Sequence, residues 1–168
     1  GALHAVPSKT LYTGAVRKIR ALVEAGELGK VLYFDSVRIN LGLFQPDSNV
    51  IWDLAPHDLS IMLHLLDQPV RRISAFGARH VDTNVENIAY LTLEFDSDLL
   101  AHFHVNWLAP AKVRRTIIGG SRKMFVYDDG EASEKLRVYD SGAHLCDSRE
   151  DMYRAFVEYR TGDVIAPR

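Results

Sequence analysis

The feature that most constrains the fold is a series of short strand-like segments that fills the chain after Pro69. Each segment is rich in β-branched and aromatic residues, and turn-forming residues such as Pro110, Gly119-Gly120 and Asp128-Asp129-Gly130 separate them. Short strands joined by tight turns form mostly antiparallel sheets, because parallel neighbours need a long crossover. The predicted strands cover residues 70–80, 86–95, 99–108, 112–119, 122–127 and 135–140.

The first 69 residues follow a different pattern, with helical periodicity on either side of one strand. The spacing predicts a helix that begins at Thr13 as N-cap, and a second helix over 51–67 with Asp53 as its cap and Pro56 in its first turn. A third helix is predicted over 149–160. The order of helix, strand, helix and then many strands predicts an α+β fold, an open, mostly antiparallel β-sheet with helices on one face.

The strand between the first two helices, residues 31–41, alternates between two sets of side chains. One set contains Val31, Tyr33 and Val37 and is mostly apolar, whereas the other contains Ser36 and Arg38. A strand with one apolar face buries that face, so we expect the Val31 set to be the better buried one.

Composition excludes several classes of function. The 168 residues carry 20 Lys plus Arg against 22 Asp plus Glu, a net charge of −2. The chain therefore lacks the excess of basic residues that nucleic-acid-binding proteins usually have. The single cysteine, Cys146, cannot form an internal disulfide, which is typical of a reducing compartment. No apolar run reaches the roughly 20 residues of a membrane span, and the N-terminus is unlike a signal peptide. We expect a cytoplasmic protein with neither a nucleic-acid nor a membrane partner.

Asp53 and His57 form the most suggestive pair of polar residues. They stand four apart in a predicted helix, so their side chains share one face. A carboxylate beside an imidazole holds its tautomer and favours its charged form, which suits a general acid or base. The alternatives are that Asp53 is a plain N-cap and that His57 is a half-buried structural residue.

Other polar residues admit both structural and functional readings. His64 lies seven residues after His57, but no third metal ligand is evident, so no metal site is predicted. His102 and His104 share one strand face. The alternatives are that they line a polar pocket, that they line an interface, or that they face water. The basic residues Lys112, Arg114 and Arg115 follow one another closely on a predicted strand. They either bind an anionic group of a substrate or keep a solvent-exposed strand edge from pairing with another chain.

Several segments in this order resemble the C-terminal domain of the Gfo/Idh/MocA oxidoreductases, the relatives of glucose–fructose oxidoreductase and inositol dehydrogenase. The segments are TGAVRKIRALVEAGELGKVLYFDSVRINLG, VIWDLAPHDLSIMLHLL and NWLAPAKVRRTIIGGSRKMFVYDD, within a likeness that runs from about Leu11 to Pro167. The most specific parts are the D-x-x-x-H of Asp53 and His57 and the W-x-x-P-x-K-x-R that runs from Trp107 to Arg114.

The resemblance implies a function for the whole protein. Family members pair this domain with a Rossmann domain that binds NAD or NADP, and a sugar or cyclitol sits between the two. In the inositol dehydrogenase branch the histidine of D-x-x-x-H is the proposed acid/base and the aspartate its partner, roles that carry over to His57 and Asp53. The exposed face of the sheet commonly forms the oligomer. The family's catalytic lysine, in an E-K-P motif, has no counterpart here.

The resemblance also frames the expected boundaries and ligands. We expect residues 1–10 to be a leader or remnant and residues 11–168 to be an excised substrate-binding and oligomerisation domain. No G-x-G-x-x-G occurs, so we expect this chain alone to bind no NAD or NADP. Candidate substrate contacts are Asn40, Trp52, Trp107, Lys112 and Arg114. A non-catalytic sugar-binding or dimerisation module without a Rossmann partner is the alternative.

Overall fold

The computed structural model describes residues 13–42, 47–81, 84–140, 149 and 164–165. It contains two complete helices, α1 (Gly14–Glu24) and α2 (Val50–Leu65). The strands are β1 (Val31–Leu41), β2 (Val70–Ala78), β3 (Ile88–Phe95), β4 (Leu100–Asn106), β5 (Leu108–Gly120), β6 (Met124–Asp128), β7 (Leu136–Tyr139) and β8 (Val164–Ile165). The predicted leader 1–10, Cys146 and, apart from Arg149, the helix predicted over 149–160 lie outside the described residues.

The eight strands of the described residues belong to one sheet, in the order β2-β3-β4-β1-β5-β6-β7-β8. Every neighbouring pair is antiparallel except β1 and β4, which run parallel. Strand β1 is thus inserted into the centre of the later meander, and α2, β2 and β3 provide the long connection that a parallel pair requires. The predicted α+β class with an open, mostly antiparallel sheet is confirmed.

Two predicted turns are wrong in detail, since β5 is longer than expected. Pro110 lies inside β5, beside a register shift against β1, where a residue without an N–H is tolerated. Gly119 and Gly120 end β5, and Gly119 pairs with Tyr33, whose ring fills the space that a Cβ would need.

Both helices cover the same face of the sheet. Helix α2 packs on β1, β3 and β4, and α1 packs on α2. The core beneath them contains Phe34, Leu91, Phe103, Ile118 and Phe125, all nearly inaccessible to solvent. The opposite face of the sheet, called the open face below, has no helix against it among the described residues.

The buried face of β1 is the reverse of the expected one. Phe34, Ser36 and Arg38 are buried under the helices, whereas Tyr33 and Val37 lie on the open face. The prediction was wrong because Arg38 finds an anionic partner on α2, so a charged residue can be buried there.

Candidate functional site

The site begins with the first turns of α2, which Asn49 rather than Asp53 caps. The Asn49 side-chain oxygen accepts a hydrogen bond from the Trp52 N–H at 3.2 Å. The helix therefore begins one turn earlier than predicted, and Pro56 lies beyond the first turn. Asp53 is left in the first turn, where its negative charge is favourable to the helix dipole.

Trp107 holds the side chain of Asp53. Its indole N–H donates to Asp53 Oδ2 at 2.9 Å, and its ring is fully buried. The ring lies against Gly42, where a Cβ would come within 2.6 Å of it, so only glycine fits without a shift. Trp107 is a candidate substrate contact, and the contact that the structure shows for its buried ring is the hydrogen bond to Asp53.

His57 lies one turn after Asp53 on the same helix face and is exposed. Burial by neighbouring atoms and the positive charge of Arg38 lower the pKa of His57 below its ordinary value. Arg114 lowers this pKa further, whereas Asp58 and Asp53 raise it. We had expected the nearby carboxylate to raise the pKa. Asp53 does act in that direction, but the net shift of the His57 pKa is downward because desolvation and two arginines outweigh the carboxylates.

Arg38 and Asp58 form a buried ion pair beside His57, which the sequence analysis missed. Arg38 Nε donates to Asp58 Oδ2 at 2.8 Å, and Arg38 Nη2 donates to Asp58 Oδ1 at 2.6 Å. Burial opposes the charge of Arg38, but the hydrogen bond and charge of Asp58 raise its pKa overall. Two features of the sequence could have predicted this pair: Asp58 directly follows His57, and Arg38 belongs to the polar set of the alternating strand β1.

Arg114 on β5 is the direct cross-strand neighbour of Arg38 and shares its helix-facing side. It pairs with Asp129 at 3.3 Å, and Tyr127 donates its hydroxyl proton to the same carboxylate at 3.1 Å. Burial and the charge of Asp129 raise the pKa of Tyr127 to about 12, so the phenol is a donor at neutral pH. The result is a line of charged groups across β1, β5 and the end of β6, beneath the start of α2.

The remaining candidates lie on β1, β5 and the first turn of α2. Asn40 is half-buried at the end of β1, and Lys112 is exposed near the register shift of β5. Trp52 is 70% exposed on the first turn of α2, where its ring is available to a ligand. Thus Asp53, His57, Trp107 and Arg114 lie together on the helix side of the sheet, and Asn40, Trp52 and Lys112 lie on adjoining segments.

The other histidines lie apart from this site. His64 is in the last turn of α2, and its backbone carbonyl accepts a hydrogen bond from Arg20. His102 and His104 lie on the open face, where His104 stacks on Tyr90 at 4.5 Å. Within the described residues no group of three or more His, Cys, Asp or Glu is placed to hold a metal ion.

Comparison with known proteins agrees with the architecture. The model of the family described as GFO/IDH/MocA C-terminal domain matches residues 16–126. The chain belongs to this family. A search of curated proteins found none that matches this chain.

Solved structures of the family share this fold. UDP-N-acetylglucosamine 3-dehydrogenase from Acidithiobacillus ferrooxidans superposes with a TM-score of 0.69 at 21% identity, covering 95% of this chain and 46% of its own. An inositol dehydrogenase homologue from Azotobacter vinelandii, complexed with NADH and myo-inositol, gives 0.69 at 17% identity, covering 79% and 38%. Levoglucosan dehydrogenase in complex with NADH and levoglucosan gives 0.62 at 15% identity, covering 79% and 40%. The chain thus spans less than half of each.

Neither of the two described helices follows a glycine-rich turn in the sequence. The Thr13 side chain accepts the Val16 N–H at the start of α1, and the Asn49 side chain accepts the Trp52 N–H at the start of α2. Dinucleotide sites instead place the pyrophosphate on the N–H groups that follow a glycine-rich turn between strand and helix.

No helix of the described residues is long and apolar enough to cross a membrane.

Proposed function

We propose that this chain is the substrate-binding and oligomerisation domain of an NAD(P)-dependent sugar or cyclitol dehydrogenase. The observation that carries the proposal is His57, whose imidazole is accessible to solvent. Partial desolvation by neighbouring atoms and the charge of Arg38 lower its pKa. Such an imidazole is neutral near pH 7 and can accept a proton. The structural neighbours include UDP-N-acetylglucosamine 3-dehydrogenase, an inositol dehydrogenase homologue complexed with myo-inositol, and levoglucosan dehydrogenase, which supports the substrate class.

In this proposal His57 is the general base for oxidation of a carbinol. As the C–H bond of the carbinol carbon loses its hydride, the hydroxyl proton passes to the neutral imidazole and the C–O bond becomes a carbonyl. The hydride acceptor, NAD or NADP, would be bound by a Rossmann domain like the one that family members pair with this domain.

The neighbouring residues prepare His57 for that step. Asp53, held by the indole N–H of Trp107, places a carboxylate one helical turn before the imidazole and favours the imidazolium that forms. Trp52, Asn40 and Lys112 are the proposed substrate contacts, since they are at least partly exposed on segments next to the helix start. Arg114, half-buried and paired with Asp129, contributes positive charge and a partly accessible guanidinium.

The open face of the sheet is the proposed site of self-association. Its exposed apolar side chains include Phe76, Tyr90 and Leu100, which are 74%, 40% and 51% accessible. The register places Phe76 beside Tyr90 and Leu100 beside Tyr33, so the apolar surface runs across four strands. A second copy related by a two-fold axis would cover the same residues on both molecules.

The test is the steady-state kinetics of variants in the full-length dehydrogenase that contains this domain. We expect His57→Ala to lower kcat by about 10²–10⁴-fold, the usual range for a lost acid/base. Asp53→Asn should cost less, because it removes the charge but leaves the imidazole. The double variant should resemble His57→Ala alone, because residues that act as a unit are not additive.

The alternative function is a non-catalytic sugar-binding or dimerisation module located in the cytoplasm like the proposed enzyme. A His57→Ala variant with unchanged kcat and reduced thermal stability would select the structural role of this histidine and contradict the proposal. So would the absence of a strand, a G-x-G-x-x-G turn and an E-K-P motif upstream in the parent reading frame.

A further inference from the structure

We propose that Arg38, acting through Asp58, is a positioning residue that fixes the placement of the His57 imidazole and the charged groups beside it. The expected effect of Arg38 on kcat rests on the function proposed above. Its expected effect on the placement and the pKa of His57 does not depend on that function. Arg38 on β1 donates two hydrogen bonds to Asp58, the residue directly after His57.

The geometry of the pair fixes the helix turn that carries His57. Arg38 approaches the Asp58 carboxylate with two of its nitrogens, at 2.8 and 2.6 Å, an arrangement that defines orientation as well as distance. Asp58 directly follows His57, and successive helical residues are rigidly related by a fixed rise and rotation. Holding Asp58 on the sheet therefore fixes the direction in which His57 leaves the helix.

Stability alone does not account for this pair. The two side chains are only 5% and 4% accessible, so both charges are almost completely removed from water. Desolvation of a buried ion pair commonly cancels its attraction, and apolar residues of the same volume are often as stable. A buried pair beside a candidate base is better explained by what it does to its neighbour.

The charges around His57 come from three elements. Arg38 on β1 and Arg114 on β5 lower the pKa of the imidazole, whereas Asp58 and Asp53 on its own helix raise it. After burial, Arg38 is the largest of these influences and exceeds Asp58. The pair therefore acts on His57 as a net positive charge and keeps the imidazole neutral at a lower pH than Asp58 and Asp53 alone would allow.

The test removes both partners together, because Arg38→Met alone would leave Asp58 buried without a partner. In the double variant Arg38→Met/Asp58→Leu we expect the pKa of His57 to rise, since the net positive influence is lost. The pKa is measured in this chain by the NMR pH titration of the His57 ring protons, with His57→Gln to assign the resonance. Leu65→Ala is the matched control, a buried variant of the same helix that alters packing but no charge.

A folded double variant in which His57 titrates as in the unaltered chain overturns the proposal. So does a shift of equal size in Leu65→Ala, because the effect would then follow from loosened packing.

A second measurement tests the placement of the imidazole. Arg38→Lys keeps the charge but lacks the planar fork, so Asp58 is held less firmly. In the full-length enzyme we expect kcat to fall by up to about 10²-fold, as for a small misplacement of a catalytic group, with KM little changed. In the double variant the acid limb of the kcat/KM profile should move to higher pH, following the raised pKa of His57.

The outcomes separate this inference from the proposed function. If His57→Ala leaves kcat unchanged while the NMR shift is present, the proposed catalytic role fails and the control of His57 by Arg38 stands. If His57→Ala abolishes turnover but the Arg38 variants change neither the titration nor kcat, the catalytic role stands and the positioning role is overturned.

Discussion

At the scale of single residues, His57 shows how a short motif acquires its chemistry from groups outside it. The D-x-x-x-H spacing brings Asp53 and His57 to one helix face, but Asp53 has the smallest influence among the charges that act on the imidazole. Burial, Arg38 and Arg114 determine the sign of the shift in the pKa. The motif marks the position of the base, and the sheet beneath it determines its protonation.

This lowered pKa predicts a pH dependence of stability. The pKa of His57 in the folded chain lies below the ordinary value of 6.5 that it takes when unfolded. As the pH falls through 6.5, the unfolded chain therefore takes up the proton first, and the free energy of unfolding decreases. This loss of stability is absent well above pH 6.5 and complete once the pH is below the pKa of His57 in the folded chain.

Urea denaturation of the unaltered chain and of His57→Gln between pH 8 and pH 5 measures this dependence. We expect the unaltered chain to lose stability relative to the variant as the pH falls. Parallel curves over this range would show that burial and Arg38 do not depress the imidazole pKa.

At the scale of elements, helix α2 is the part on which the site depends, and its start is set by Asn49. The Asn49 cap satisfies an N–H of the first turn, and the Val50 N–H donates to the Glu86 carbonyl at 3.0 Å. These contacts tie the beginning of α2 to the segment before β3. Asp53 is thereby released from capping and can accept the indole N–H of Trp107.

The cap predicts a specific loss of stability. Asn49→Ala should lower the free energy of unfolding by about 1 kcal/mol, the usual cost of removing an N-cap side chain. Asn49→Ser should recover most of this loss, because a hydroxyl can accept the same N–H. The measurement is the urea midpoint of each variant, and an Asn49→Ala variant as stable as the unaltered chain would restore Asp53 as the cap.

At the scale of the whole molecule, the sheet has two faces with different roles. The helix-covered face carries the core and the site, whereas the open face exposes Phe76, Tyr90 and Leu100. Asp35 and His102 are cross-strand neighbours near the centre of the open face. Burial raises the pKa of Asp35, although the charge of His102 partly opposes it.

The open face predicts self-association of this chain. We expect a dimer at micromolar concentration in sedimentation equilibrium, and we expect Phe76→Lys to dissociate it by placing a charge in the apolar surface. Ile73→Lys is the matched control, because Ile73 is similarly exposed on β2 but pairs with Leu93 on the opposite face. A monodisperse monomer, or equal effects of both variants, would count against association through this face.

The absence of a glycine-rich turn from the sequence predicts that this chain alone binds no nicotinamide dinucleotide. Calorimetric titration with NADH and NADPH should detect no binding. A dissociation constant below about 100 μM, or roughly −5.5 kcal/mol, would show that the chain holds a dinucleotide site without that turn.

The sequence by itself determined the features that depend on neighbouring residues. Alternation and turn residues located seven strands, Thr13 capped α1 as its hydroxyl predicts, and the spacing of Asp53 and His57 placed both on one helix face. The tertiary structure alone decided that Arg38 and not Val37 is buried, that β1 enters the sheet beside β4, and that Trp107 holds Asp53. The physical reason is that these features depend on partners far away in the sequence: Asp58 is 20 residues from Arg38, and Trp107 is 54 residues from Asp53. Local periodicity specifies the two faces of a strand, but the charge or ring that a distant segment presents determines which face is buried.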